Sequence, residues 1–206
     1  MFSNLFSLDK KTIVINFLVS FIVFSFIIGN LVLNLNVILL IIISFIFYNK
    51  KIINQNYNKI DKLVFILFLY IVLSGFYNNI YFLVIGETNS FDIIIKSILY
   101  LRFFLLYIVL KFLVEEKIIN LKNFFFFSLL AVLFVSLDII FQLVNGYDIF
   151  GYKAVSRRLS GPFGDELIAG SFLQRFALFA LFFTPIFLKF NKQNSTVLLT
   201  FFLFSI

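Results

Sequence analysis

The sequence predicts an all-α protein, a polytopic transmembrane helix bundle of six full spans plus a truncated seventh. Three observations carry that expectation. Hydrophobic residues make up 62% of the chain and mean hydropathy is +1.08, against roughly 45–50% apolar content in a soluble domain. Apolar runs of about 17–25 residues, long enough to cross a ~30 Å hydrocarbon core, recur along the whole length. Lysines gather at alternate ends of those runs, the pattern that the positive-inside rule produces.

The spans are justified in order. Residues 12–29 follow Lys10 and Lys11; this apolar stretch is too long for a cleavable signal peptide, and no small-residue cleavage site follows it. Residues 32–48 end just before Lys50 and Lys51, and 63–85 begin after Lys59 and Lys62. Residues 93–114 close on a connection flanked by Lys111, Lys117 and Lys122, after which 124–144 cross back. Residues 167–188 are followed by Lys189 and Lys192. A seventh run begins near Thr196 and stops at Ile206, short of the ~20 residues a span needs. Residues 1–206 therefore read as a single transmembrane domain, the N-terminal part of a longer membrane protein. With a cytoplasmic N-terminus all eleven of these lysines lie on one side.

Composition also excludes chemistry. The chain has no cysteine and no histidine, so disulfides, thiolate nucleophiles and imidazole bases or ligands are missing. Neither a metal nor a cofactor is expected. The 34 Phe and the absence of Trp fit an AT-rich coding bias, and the run Phe124-Phe125-Phe126-Phe127 needs no functional reading. The net charge of +7 follows from topology and from anionic lipid at the inner leaflet. No nucleic-acid partner is implied.

One outside connection breaks the charge pattern: residues 145–166 carry Lys153, Arg157 and Arg158. Arginine occurs four times, as Arg102, Arg157, Arg158 and Arg175. Ionisable groups inside a membrane are costly and usually face a cavity or a partner. Arg102, nine residues below the outer end of its span, lies roughly 13 Å deep at 1.5 Å per residue. On the same rise Arg175 lies at about 12 Å and Asp138 at roughly 9 Å, so all three fit one layer. Lys96 is shallower and can snorkel.

Gln142 stands one turn above Asp138, and Ser171 one turn above Arg175 with Gln174 beside it. Such stripes predict a polar funnel opening outward; a structural ion pair between Asp138 and Arg175 or Arg102 explains Asp138 equally well. In the loop, Arg157 and Arg158 offer planar donor forks suited to phosphate or diphosphate oxygens. Gly161-Pro162 and Gly164 predict a turn, and Asp165-Glu166 are expected to open the next helix and complement its N-terminus.

These residues, in the order Asp138-x-x-x-Gln142, Asn145-Gly146-Tyr147-Asp148-Ile149-Phe150-Gly151, Arg158-Leu159-Ser160-Gly161-Pro162-Phe163-Gly164-Asp165-Glu166 and Gly170-Ser171-Phe172-Leu173-x-Arg175, resemble the bacterial O-antigen ligase and O-antigen polymerase superfamily. Leu101-Arg102-Phe103-Phe104 is similar to that family's arginine-bearing helix. The likeness is concentrated in residues 95–180. It implies a GT-C-like, all-helical glycosyltransferase of the bacterial inner (cytoplasmic) membrane, with a cytoplasmic N-terminus. Such enzymes act in cell-surface polysaccharide or lipopolysaccharide assembly. The donor would be an undecaprenyl-diphosphate-linked glycan at the periplasmic face, and the acceptor a second glycan or lipid A–core. The resemblance assigns Arg102, Arg158 and Arg175 to the donor diphosphate. The family's large periplasmic loop, whose histidine is proposed as general base in ligases, falls beyond residue 206, which leaves the catalytic residue unknown. A transporter or flippase for a lipid-linked oligosaccharide or small anion fits the same intramembrane charges, and a non-catalytic scaffold is a third reading.

Overall fold

The computed structural model describes residues 10–85, 90–154, 158–164 and 166–178. Among these, almost everything outside the 146–168 connection is helical, and there is no strand. The helices are α1 (Lys10–Ile28), α2 (Asn30–Ile53), α3 (Lys59–Ile85), α4 (Ser90–Leu99), α5 (Leu101–Glu115), α6 (Leu121–Asn145) and α7 (Ala169–Leu178). Five stretches are long and apolar enough to cross a membrane: α1, α2, Lys59–Tyr81 of α3, Asp92–Glu115 across α4 and α5, and α6. Wide apolar surfaces stay exposed on them, with Leu63, Tyr70, Leu73 and Ile80 of α3 each more than half exposed. Large apolar exposure of this kind suits contact with lipid rather than water. The expected sixth span is described only as the ten residues of α7, and the expected seventh lies outside the described residues.

Several boundaries differ from the sequence reading for local reasons. α2 continues past Tyr48, whose φ of −133° and ψ of 19° kink it. α3 begins at Lys59 instead of 63 and so carries Asp61 in its first turn. The fourth span is interrupted at Tyr100, where Phe103 N donates to Tyr100 O at 3.0 Å in a tightened turn between α4 and α5. Glu166 does not open α7: its N donates to Phe163 O, and the helix starts at Ala169 with no acidic residue in its first turn.

The chain forms two compact units, residues 1–37 with 119–206, and residues 38–118. In the first, α6 packs against α1, α7 and a short 3₁₀ turn, Gly161–Phe163. Its core joins Val23 of α1, Leu129, Val132 and Val135 of α6, and Phe172, Leu173 and Phe176 of α7. Asn36 stitches α1 to the start of α2, its Nδ2 donating to Leu18 O at 3.1 Å and Ser25 Oγ at 3.2 Å. Asn120 caps α6 by accepting from Lys122 N, the usual role of Asn before a helix.

In the second unit, α3 packs against α4 and α5. Gly75 permits this approach, because a Cβ there would fall 2.3 Å from Ser97 Oγ. The Phe104 ring of α5 sits between Phe65 and Phe68 of α3, each at 5.6 Å.

Candidate functional site

Asp138 and Gln142 share one face of α6, four residues apart, and both are fully buried. A polar side chain inside an apolar helix is tolerated when its hydrogen bonds are made. Here the partners are main-chain groups of the loop that follows. Asp138 Oδ1 accepts from Ile149 N at 2.8 Å. Gln142 Oε1 accepts from Gly161 N at 2.9 Å, and its Nε2 donates to Ser160 Oγ at 3.2 Å and Tyr152 O at 3.3 Å. The two side chains thus pin the loop at separate points onto the end of α6.

The loop is built to be pinned. α6 ends at Gly146, in left-handed conformation, with Gly146 N donating to Gln142 O. Asp148 N donates to Tyr152 O, Ala154 N to Gly146 O, and Asp148 Oδ1 accepts from Tyr152 N at 2.6 Å. These bonds close a small hairpin about Gly151. Gly161 and Gly164, at φ of 55° and 63°, occupy the backbone region that glycine enters without penalty. A Cβ at Gly161 would meet Ile139 of α6 at 3.1 Å, and one at Gly164 would meet the Tyr152 ring at 3.2 Å. The hairpin, the Gly-Pro-Phe-Gly turn and α6 therefore form one packed joint.

This arrangement corrects the expected funnel. The stripe on the fifth span leads into buried main-chain hydrogen bonds, so Asp138 and Gln142 act as a fastening. Nor is Asp138 paired with Arg175: among the described residues of the first unit no cation bonds to it, and Asp138 Oδ2 has no partner. The stripe on α7 keeps its expected register, with Ser171, Gln174 and Arg175 all exposed and opposite the buried face of Phe172, Leu173 and Phe176. Ser171 Oγ donates to Ile168 O in the preceding turn.

The arginines divide. Arg158 is exposed on the pinned loop, just before buried Ser160. Arg157 lies outside the described residues, as does Asp165. Arg102 belongs to the second unit, directly after the interruption at Tyr100; its guanidinium lies 4.9 Å over the Phe103 ring and its buried Nε lacks a hydrogen-bond partner.

Sequence reasoning missed a second polar cluster. In the second unit Asp61 is buried near the start of α3 and bonds to Lys111 Nζ at 2.5 Å, Tyr107 Oη at 2.6 Å and Asn58 N at 2.5 Å. Lys111 Nζ also donates to Asn56 O at 2.7 Å. Lys111 is therefore a fixed counter-ion and not a free flanking lysine. Its place inside the apolar run, four residues after Tyr107 on the same face of α5, was the available signal.

Comparison with known proteins finds no matching family model, no matching curated protein and no matching solved structure.

Proposed function

We propose that this chain is a membrane glycosyltransferase of the O-antigen ligase or polymerase type, acting on an undecaprenyl-diphosphate-linked glycan at the periplasmic face of the inner membrane. The observation that supports it most is the pinned loop. Bonds to Asp138 and Gln142 hold Ile149, Tyr152, Ser160 and Gly161 against α6, while Arg158 on that loop and Arg175 on the adjoining helix stay exposed. Exposed guanidinium groups on a held loop and an amphipathic helix suit a lipid diphosphate, whose charge needs donors and whose tail needs hydrocarbon.

In this reading an acceptor hydroxyl attacks the anomeric carbon, the bond from that carbon to the diphosphate oxygen breaks, and configuration inverts. The departing diphosphate takes the electron pair. Arg158 and Arg175 stabilise the charge that develops there, and Arg157 joins them on sequence grounds. Gln174 and Ser171 lie on the same face of α7 to orient an oxygen of donor or acceptor. Asp138 and Gln142 act through the loop as positioning residues. The hydroxyl proton passes to a general base. Arg102, carried by the other unit, enters this reading through the resemblance alone.

The test is glycan transfer in cells expressing Arg158→Ala or Arg175→Ala, with insertion verified for each. Loss of one preorganised donor costs about 10²–10³ in rate in other enzymes, and a deficit of that order is expected. Undiminished transfer by correctly inserted variants removes the reading.

A further inference from the structure

The second unit holds a groove that the glycosyltransferase reading does not use. It is a cavity of about 300 Å³ between the first turns of α3 and the middle of α5. Phe65, Phe104 and Ile108 form its apolar wall, and Tyr57 and Lys62 stand at its polar end. Asp61 and Tyr107 also border it, but their polar groups are committed to each other and to Lys111. The one acidic side chain at the groove is therefore already neutralised. Lys62 is exposed and makes no ion pair among the described residues, and exposed Lys59 lies one turn away. The groove thus pairs a hydrocarbon-lined slot with uncompensated positive charge at the end of a membrane-spanning helix.

We propose that this groove binds an anionic phospholipid, its phosphate against Lys62 and part of an acyl chain along Phe65, Phe104 and Ile108. Charge complementarity selects the occupant. A zwitterionic lipid satisfies the apolar wall but gains nothing from Lys62, while a free phosphate gains nothing from the wall. Basic pockets between membrane helices bind anionic head groups on this principle. Tyr57 and Tyr107 suit the interface, where amphipathic rings settle. The buried Asp61–Lys111 pair supports the site by holding α3 and α5 at the spacing that opens the slot. The site does not depend on the donor reading, since none of its residues lies on the pinned loop or α7.

The experiment is native mass spectrometry of the full chain released from detergent, after equilibration with phosphatidylglycerol, with phosphatidylcholine, or with inorganic phosphate alone. Retention of phosphatidylglycerol in preference to phosphatidylcholine is expected, with no retained inorganic phosphate. Lys62→Gln should weaken phosphatidylglycerol binding roughly fivefold, the worth of one lysine near an anionic lipid, while Lys51→Gln leaves it unchanged. Ile108→Trp, which fills the apolar wall without touching the charge, should also displace the lipid. Equal retention of phosphatidylcholine, binding of inorganic phosphate alone, or equal losses from Lys62→Gln and Lys51→Gln would each overturn the proposal. The last outcome would mean diffuse attraction to the whole lysine-rich face.

Discussion

Asp61 and Asp138 are both buried carboxylates in apolar helices, and they are satisfied in opposite ways. Asp61 in α3 has a cation, a phenol and a backbone N–H around it. Asp138 in α6 has one backbone N–H from the following loop and, among the described residues, no cation. The first pairs a charge with a charge and ties two helices together. The second ties a helix to a loop. A membrane carboxylate therefore cannot be assigned a role from its depth alone; the identity of its donors decides.

The same conservative change separates the two sites. Asp61→Asn leaves the largely buried Lys111 ammonium with only half-exposed Glu115, 3.8 Å away, as counter-charge, and removing the close partner of a buried pair is strongly destabilising. Among single substitutions at the two sites it should give the largest fall in Tm, measured in detergent by intrinsic fluorescence. Adding Lys111→Met should recover most of it. Asp138→Asn keeps an oxygen for Ile149 N and should be nearly silent in the same assay. A large fall with Asp138→Asn would mean that its charge is paired after all.

Asp138→Leu removes the acceptor of the part-buried Ile149 N–H and should cost about 1 kcal/mol. Gln142→Ala strands the buried Gly161 N at about 1–3 kcal/mol. Hydrogen exchange should show both losses within residues 147–164, with α3 and α5 unchanged. In the second unit, Gly75→Ala forces a methyl against Ser97 and should cost about 1–3 kcal/mol by overpacking; Ser97→Gly in the same chain should relieve it. Among the substitutions that remove a bond or crowd a contact, the smallest effects belong to Asp138→Leu and to Asn120→Ala, where the lost cap of α6 is worth about 1 kcal/mol.

Much of the fold is legible in the sequence because hydrophobic runs report helices directly. α1 and α6 end within three residues of their expected limits. The kink at Tyr48 and the interruption at Tyr100 are not legible, since no proline or glycine marks either. Helical spacing places Gln142 one turn above Asp138 on one face, and Ser171, Gln174 and Arg175 on another, and both groupings hold. What spacing cannot reveal is the partner. The donors to Asp138 and Gln142 are main-chain N–H groups, carried by nearly every residue and absent from any motif. Asp61 was hidden for a related reason: a carboxylate at a helix start reads as ordinary helix-end chemistry until Lys111 and Tyr107, 50 and 46 residues away, are brought beside it.

The pinned loop is the central claim, and the lack of native cysteine makes it directly measurable. Single Ser160→Cys and Arg158→Cys variants would be labelled with a membrane-impermeant maleimide. Ser160 is 3% exposed beneath Gln142, whereas Arg158 is exposed. A pinned loop predicts rapid labelling at position 158, protection at position 160, and loss of that protection when Gln142→Ala is added. Equal labelling at both positions with Gln142 intact would contradict it.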